Sequence, residues 1–450
     1  MKLSDRQQEL LKRTFLDYRQ TMDFLENPLV FKSAKGLYYF DIEGKKYFDA
    51  IGGIFVASLG HCHPRIIEAL RKQSEIMTFA PPLHGISDVT LEFVDKLGLV
   101  APGNLKYVKA FSGGSESVES ALKFARQYFK QTGHPGKYKF ISRYMGYHGS
   151  TFGAMSASGT GHRKTKFEPL MTGFPKVPNP NQLRDRFSDW QECNRFAAKL
   201  FEDVIIHEDP DTVAGIIVEP VGNTGGIITP TQEYYKILRG ICDKCNVLLI
   251  FDEIITGYGK TGNMFAAQTY DVAPDIICGG KGLSSGVIPL GAMIANEDLS
   301  KAFLGKLGSN VEFAHGNTYA GNPLACAVGI AVLNEITEKQ LDKKAQRIGK
   351  YLFNKLEGLK KYGVIREIRG KGILLGVELV KDLKTNEPFD ELGKALKQTA
   401  IKNGLIMRID PSWFAVAPAL IAEESDIDEM YGLIEKSLKD ALDSVKKVNK

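Results

Sequence analysis

Cysteine is scarce in this chain, with 6 among 450 residues. So low a content excludes the disulfide framework that staples small secreted domains. Cys242 and Cys245 have the spacing of a redox or zinc pair, but no second pair accompanies them, and we interpret them as thiols near a helix end. The run from His61 to Pro64 is interpreted as a loop followed by a helix start, so no metal site is predicted.

Long apolar runs and blocks of one charge are also missing. No apolar run is long enough to cross a bilayer, and the first nine residues lack the apolar core of a signal peptide, which predicts a cytoplasmic location without membrane partners. The net charge of +5 comes from 58 Lys and Arg set against 53 Asp and Glu. Because these residues are interspersed, nucleic-acid binding is not predicted.

Short apolar segments alternate with helix-like segments after about residue 60. The segments are apolar without alternation, which indicates burial on both faces in a mostly parallel sheet flanked by helices. The clearest helix follows Ser115, since its apolar residues recur at helical spacing. The predicted strands are Tyr107–Phe111, Tyr138–Ser142, Val213–Val218, Val247–Phe251, Ile276–Cys278 and Leu290–Ile294.

The two ends of the chain have different patterns from the middle. Residues 36–50 contain aromatic-rich segments around a glycine turn and predict a hairpin. From about residue 335 the pattern predicts a charged helix (343–358), strand-like segments at Val364–Arg369 and Gly372–Leu379, and two more helices around Ile406–Ala417.

The length of the chain exceeds that of one ordinary domain and predicts two. We expect a large α/β domain over residues 61–330 and a smaller α+β domain over residues 331–450. Residues 1–60 are expected to pack with the smaller domain.

Lys281 and Asp252 stand at the ends of two neighbouring apolar strands. Lys281 follows the strand and glycines of residues 276–280, and Asp252 ends the strand that begins at Val247. A lysine can form a Schiff base with an aldehyde, and a carboxylate can pair with a protonated pyridine nitrogen. The two residues together therefore favour pyridoxal phosphate (PLP) as the cofactor.

A glycine-rich turn, residues 111–116, lies between a strand and the clearest helix. Glycines let the backbone approach an anion, and a helix N-terminus attracts phosphate, although such turns often serve packing alone. Nucleotide binding has less support. Residues 257–262 contain Gly-Lys-Thr, but Ile254 stands where a phosphate-binding loop needs glycine, and no dinucleotide fingerprint follows the first strand.

With these residues in place, the chain resembles the class III PLP-dependent aminotransferases. Six motifs in family order and spacing support the resemblance: Tyr147-His148-Gly149, Val218-Glu219-Pro220-Val221, Phe251-Asp252-Glu253-Ile254, Gly257-Tyr258-Gly259-Lys260-Thr261-Gly262, Gly279-Gly280-Lys281-Gly282 and His315 to Pro323. The resemblance implies fold type I, in which a mostly parallel seven-stranded sheet is sandwiched by helices beside a smaller domain. It also implies a homodimer or tetramer with shared active sites.

The resemblance assigns the catalytic chemistry to Lys281 and Asp252. Lys281 would carry the internal aldimine and then move the proton between Cα and C4′, which requires a pKa lowered towards roughly 7–8. Asp252 would keep the ring nitrogen protonated. Glu219 would form hydrogen bonds around the cofactor or substrate, and His148 would support the site.

Cofactor binding is likewise implied by the resemblance. Gly114 and Ser115 would bind the phosphate, and Thr318 would add a ligand from the partner subunit. Tyr147 would stack on one face of the pyridine, and Ile254 would press on the other. Residues 111–113 depart from the usual family motif by losing polar donors, which puts the phosphate contacts in doubt, whereas we treat Lys260, an arginine in the family motif, as a neutral change.

Substrate preference is suggested by a departure near the C-terminus. Ornithine- and 4-aminobutyrate-type members carry a carboxylate-binding arginine where this chain has Ala415. Arg408 resembles instead the arginine of ω-amino-acid and amine:pyruvate members, and we predict it as the carboxylate or sulfonate anchor. The substrate pocket would also include Tyr147 and the side chains Phe55, Phe79, Pro82 and His84.

The activity expected from the resemblance is transfer of an amino group from an ω-amino acid or amine to pyruvate or 2-oxoglutarate, by a ping-pong mechanism. An amino-acid racemase or epimerase, an aminomutase or a decarboxylase on the same fold stays an alternative, because these enzymes share nearly all of the residues named above. A cofactor-binding protein without turnover is disfavoured by the intact Lys281, Asp252 and Glu219.

Overall fold

The largest sheet has seven strands. The computed structural model describes residues 3–448. Its strands are β1 Phe31–Lys35, β2 Tyr38–Asp41, β3 Lys46–Asp49, β4 Leu105–Phe111, β5 Lys139–Arg143, β6 Lys176–Val177, β7 Val213–Val218, β8 Leu248–Asp252, β9 Ile276–Gly279, β10 Gly291–Asn296, β11 Ile365–Lys371, β12 Leu374–Leu379, β13 Leu405–Ile406, β14 Arg408–Asp410 and β15 Trp413–Val416. The large sheet has the order β4-β10-β9-β8-β7-β5-β6.

Helices surround this sheet and continue to the C-terminus. They are α1 Asp5–Lys12, α2 Thr21–Glu26, α3 Gly52–Phe55, α4 Pro64–Ile76, α5 Asp88–Val100, α6 Gly114–Gln131, α7 Phe152–Ala157, α8 Gly161–Lys164, α9 Pro180–Leu183, α10 Trp190–His207, α11 Gln232–Cys245, α12 Ala266–Tyr270, α13 Glu297–Ser300, α14 Pro323–Glu338, α15 Leu341–Glu357, α16 Asp390–Lys402 and α17 Glu424–Val448. Among residues 3–448, no helix combines the length and apolar composition needed to cross a membrane.

The mostly parallel sheet predicted from the sequence is confirmed. Strands β5 to β9 pair in parallel, and only β10 runs antiparallel to its neighbours β9 and β4. Every residue of β7, β8 and β9 is buried, which explains why these segments are apolar without alternation. The observed strand limits differ from the predicted ones by only one or two residues.

The hydrophobic core lies on both faces of the large sheet. On one face, α6 packs Val118, Ala121 and Phe129 against sheet residues that include Ile217 and Ile250. The other face belongs to a larger cluster that continues into the C-terminal part of the chain. The sheet is therefore a buried middle layer, as an α/β architecture requires.

Two four-stranded sheets complete the fold. One is antiparallel in the order β11-β12-β15-β14, and the other has the order β1-β2-β3-β13. In the second, β13 from the C-terminal region pairs in parallel with β3 of the N-terminal hairpin, so these two regions share one sheet. The predicted division at residues 60 and 330 stays our proposal.

The region around Ile406–Ala417 differs in detail from the expectation. The two expected helices are α16 and α17, which lie on either side of this stretch. The stretch itself forms the short strands β13, β14 and β15. Pairing of β15 with β12 buries all four residues of β15, so sheet burial determines the conformation there.

Candidate active site

Five strand ends meet at one edge of the large sheet. Because β4, β5, β7, β8 and β9 run in the same direction, the segments that follow them all begin at the carboxyl edge. Open α/β sheets bind ligands at this edge. A cavity of about 130 Å³ lies there, lined by Gly114, Ser115, Tyr147, His148, Gly149, Glu219, Val221, Asp252, Ile254, Ile255 and Lys281.

Lys281 enters this cavity from the segment after β9. Its backbone is in the left-handed region, with φ 44°, a conformation that a residue with a side chain rarely adopts unless its surroundings hold it there. Burial lowers the pKa of Lys281, and Arg408 and Arg163 lower it further, whereas the carboxylates of Asp252 and Glu219 raise it. The net lowering favours a neutral amine, the form that acts as a nucleophile or base.

Asp252 is fixed through both of its carboxylate oxygens. Oδ1 accepts a hydrogen bond from the Ile254 backbone N–H at 3.2 Å, and Oδ2 lies 2.8 Å from His148 Nδ1. The His148 backbone N–H donates in turn to Ser158 Oγ at 2.8 Å. The aspartate and histidine side chains are both buried, so the carboxylate has a single orientation before any ligand arrives.

The N-terminus of α6 opens into the same cavity without a side-chain cap. Gly113 is the N-cap residue, and it has no side chain to cap the first N–H groups of the helix. A Cβ at Gly114 would lie 2.7 Å from Ile254 Cδ1, so only glycine lets the helix approach Ile254 this closely. Ser115 Oγ accepts from the Ser150 N–H at 3.0 Å. Free N–H groups at the start of a long helix are suited to a phosphate.

Glu219 is held by two backbone N–H groups. Tyr147 N donates to Oε1 at 3.0 Å, and Asn223 N donates to Oε2 at 3.1 Å. Burial raises the pKa of Glu219, while His148 and these two donors oppose the rise. Glu219 therefore links the segment that carries Tyr147 to the segment that follows β7.

A single cavity is thus lined by a lysine, an aspartate, an aromatic ring and a helix N-terminus without a side-chain cap. This donor set fits PLP, since it offers an amine for the aldehyde, a carboxylate for the ring nitrogen and N–H groups for the phosphate. Eight of the nine cofactor residues predicted from the sequence, all except Thr318, line the cavity. Their individual roles stay predictions.

Five other predicted residues do not line this cavity. Thr318, Phe79, Pro82 and His84 are exposed, and the rings of Phe79 and Tyr319 lie 6.0 Å apart. Phe55, expected in the pocket wall, is buried in the core at 1% exposure, whereas its neighbour Ile54 is 65% exposed. The hypothesis that Thr318 serves the cavity of a partner subunit stays a prediction.

Arg408 also lies outside the cavity lining, and it already has a partner. Its Nε donates to Asp410 Oδ2 at 2.9 Å, and its guanidinium lies 5.0 Å from the centre of the Trp413 ring. Its charge lowers the pKa of Lys281, so its field extends to the cavity. Part of its hydrogen-bonding capacity is nevertheless used within the chain.

Sequence reasoning missed two buried charged side chains beside the site. Lys260, which we had treated as a neutral change, donates to Ser58 Oγ at 2.6 Å, and burial together with nearby Lys281 lowers its pKa to about 7. Glu253 accepts from the backbone N–H groups of Ala266 and Ala267 at 2.6 and 2.8 Å, which fixes the start of α12. The available signal was that both residues belong to motifs that lie next to Lys281 and Asp252 in the fold.

Comparison with known proteins agrees with this geometry. A family model described as aminotransferase class-III matches residues 21–438. The chain is 35% identical over 424 residues to the taurine–pyruvate aminotransferase of Bilophila wadsworthia, covering 91% of this chain and 92% of that protein.

Solved structures give the same result. An (S)-enantioselective omega-transaminase from Thermomicrobium roseum superposes with a TM-score of 0.93 at 32% identity, covering 98% of this chain and 100% of that one. An omega transaminase from Pseudomonas jessenii in complex with PMP has a TM-score of 0.90 at 31% identity, with 99% of both chains covered. The predicted fold type I is therefore confirmed.

Proposed function

The chain belongs to the class III aminotransferases, which depend on PLP, and from that premise we propose that it is an ω-transaminase. The reaction would move an amino group from an amine or ω-amino acid to an oxo acid, pyruvate or 2-oxoglutarate. The two substrates would use one cavity in turn, in a ping-pong sequence. The single observation that carries the proposal is that Lys281 and Asp252 line the same cavity.

In this proposal, Lys281 is the residue that would bind the cofactor covalently and transfer the proton. When bound, PLP supplies an aldehyde for Schiff-base formation and a ring that takes up electrons from the substrate. Lys281 would hold the cofactor through its aldehyde, and its Nζ, when free and neutral, would accept a proton from the substrate and return it. Its pKa, lowered by burial, keeps more of the amine neutral and able to take the proton.

Four further residues of the cavity hold and orient the ring. Asp252, whose carboxylate is fixed by His148 and the Ile254 N–H, would pair with the ring nitrogen. Tyr147 and Ile254 would contact the two faces of the ring. A ring held in this way keeps the substrate carbon within reach of Lys281.

The proposed substrate class follows from the relatives and the charge of the site. One relative carries the name taurine–pyruvate aminotransferase, which supports an ω-amine with an acidic group as donor and pyruvate as acceptor. Two arginines, Arg163 and Arg408, act on Lys281 electrostatically and would favour an anionic substrate. We further propose a cytoplasmic homodimer, since Thr318 lies outside its own cavity and all six cysteines are free.

A spectroscopic experiment tests the proposed function. The purified holoenzyme is mixed with an amine and no acceptor, and the absorbance of the bound cofactor is followed before and after pyruvate is added. A transaminase gives a stable change that the oxo acid reverses. Exchange of substrate hydrogen with deuterated solvent without that change would instead indicate a racemase. Loss of carbon dioxide would indicate a decarboxylase.

A further inference from the structure

Arg163, in the short helix α8, lies beside the cavity and contacts two tyrosine rings. Its guanidinium carbon is 5.0 Å from the centre of the Tyr147 ring and 4.5 Å from the centre of the Tyr18 ring. Tyr147 lines the cavity, and Tyr18 comes from the segment between α1 and α2. Three segments far apart in sequence therefore meet around one cation.

The guanidinium of Arg163 is held by aromatic contacts, and Arg163 forms no ion pair with the residues that the structure describes. Within residues 3–448, no carboxylate forms an ion pair with Arg163, and its buried Nε has no hydrogen-bond acceptor. Aromatic contacts use the faces of a guanidinium, whereas its N–H donors point outward in the plane. Arg163 is thus oriented with its hydrogen-bonding edge unused, in contrast to Arg408, whose Nε donates to Asp410.

Arg163 is also close enough to act on the catalytic amine. Its positive charge lowers the pKa of Lys281. Its guanidinium also lies over the ring of Tyr147, a residue that lines the cavity. Burial, followed by the Tyr18 hydroxyl, raises the pKa of Tyr147 to about 12, so the phenol stays neutral and leaves the guanidinium charge uncompensated.

We propose that Arg163 is a specificity-determining residue that binds the anionic end group of a substrate, a carboxylate or sulfonate, through its free edge. Two N–H donors of a guanidinium match two oxygens of such a group. Tyr18 and Tyr147 act as positioning residues that keep the edge turned towards the cavity mouth. The inference rests on the proposed transaminase function for the identity of the anion, which could belong to the amino donor or to the oxo-acid acceptor.

A binding experiment tests the site without turnover. Propionate and ethanesulfonate, which have no amine, are titrated into the holoenzyme and the heat is measured. Replacing Arg163 by Gln should weaken binding by about 10- to 100-fold, the loss expected for hydrogen bonds to a charged group. The control is Lys164→Gln, which removes a neighbouring cation that is paired with Glu168. This variant should bind both anions as tightly as the unmodified protein does.

Two binding outcomes would overturn the proposal. One is an Arg163→Gln protein that binds the anions as tightly as the unmodified protein, and the other is an unmodified protein that binds neither anion. Tyr18→Ala gives an independent variant that leaves the guanidinium in place but removes one stacking face. It should weaken anion binding by about 2- to 30-fold, the range of one cation–π contact.

Half-reaction kinetics then identify which substrate carries the anion. The donor half-reaction is measured with 3-aminopropanoate, 2-aminoethanesulfonate and uncharged 1-aminopropane, and the acceptor half-reaction with pyruvate. In Arg163→Gln, a rise in KM for the acidic donors alone assigns the site to the donor, and a rise for pyruvate alone assigns it to the acceptor. An equal loss with 1-aminopropane would refute an anion-binding role. If the unmodified enzyme converts no donor, the proposed function fails, while the binding experiment still decides the role of Arg163.

Discussion

At the inner end of the cavity, both oxygens of Asp252 are occupied by hydrogen bonds, whereas at the outer end Arg163 has no acceptor for its Nε. The inner group is fixed by partners within the chain, as expected for a residue that would hold a resident cofactor in one position. The outer group is oriented by aromatic faces and keeps its donors free. Under the proposed function, partners within the chain complete the Asp252 end of the site, and the anionic group of a substrate would complete the Arg163 side.

The strongest test of the inner end is replacement of Lys281 by Ala. Without the amine, neither the bond to the aldehyde nor the proton transfer can occur, and kcat/KM should fall by at least about 10⁴-fold. Steady-state kinetics and reductive trapping of the cofactor on the protein, read by mass spectrometry, provide the measurement. Lys301→Ala, at an exposed lysine, is the control, and trapping at an unchanged level in Lys281→Ala would disprove the assignment.

Replacement of Asp252 by Asn should have the next largest effect. The amide keeps the shape but loses the charge that holds a proton on the ring nitrogen, and we expect kcat to fall by about 10²–10⁴-fold. Asp271→Asn, at an exposed acid, serves as the matched control for charge. A kcat within a factor of about three of the unmodified enzyme would show that Asp252 only orients His148.

The burial of Lys260 should make the folding stability of the protein depend on pH. Burial lowers its pKa in the folded protein from 10.5 to about 7, so between these values the unfolded chain binds the proton and the folded chain does not. Stability therefore rises with pH in that window, by about 1.4 kcal/mol per pH unit for one proton. Below the folded pKa the lysine is charged in both states and contributes no slope.

Unfolding midpoints measured from pH 7 to 10 test this expectation. Lys260→Met lacks the titrating group, so the difference in stability between the unmodified protein and this variant should change with pH. Lys260→Arg, which keeps a charge throughout the window, serves as the reference. Parallel pH profiles for the unmodified protein and Lys260→Met would show that Lys260 is charged when folded.

The smallest expected effect concerns Arg408, our original candidate for the anion anchor. Replacing Asp410 by Asn removes its acidic partner, and the freed arginine should raise kcat/KM for acidic donors by about 2- to 5-fold, the range of a partly exposed ion pair. The same assay with 1-aminopropane is the control. A fall in kcat/KM for acidic donors would mean that the pair itself orients Arg408 towards the substrate.

Much of the fold could be predicted because its strands are short, apolar and buried on both faces. Lys281 and Asp252 were placed at strand ends, and parallel strands bring their carboxyl ends to one edge, so their meeting followed from topology. Phe55 could not be placed in this way. Positive φ angles at Gly52, Gly53 and Phe55 reverse the expected side-chain directions, and Ile54 is exposed instead.

Arg163 was missed for a different reason. Nothing in residues 160–164 resembles a binding motif, and its environment exists only because residues 18 and 147 approach it in the folded chain. The burial of Lys260, interpreted from the sequence as a neutral change, also could not be predicted from its motif, and burial lowers the pKa of a lysine but not of the always charged arginine. Local sequence pattern and sheet topology therefore predict the part of the site around Lys281 and Asp252 better than they predict the part around Arg163.

The position of Tyr18 has a practical consequence for anyone who produces this enzyme. A truncation that removes residue 18 would take away one of the two rings that contact Arg163. If Arg163 binds the substrate anion as proposed, such a truncated protein would have an altered substrate profile. Carboxy-terminal tagging after α17 avoids this source of variation.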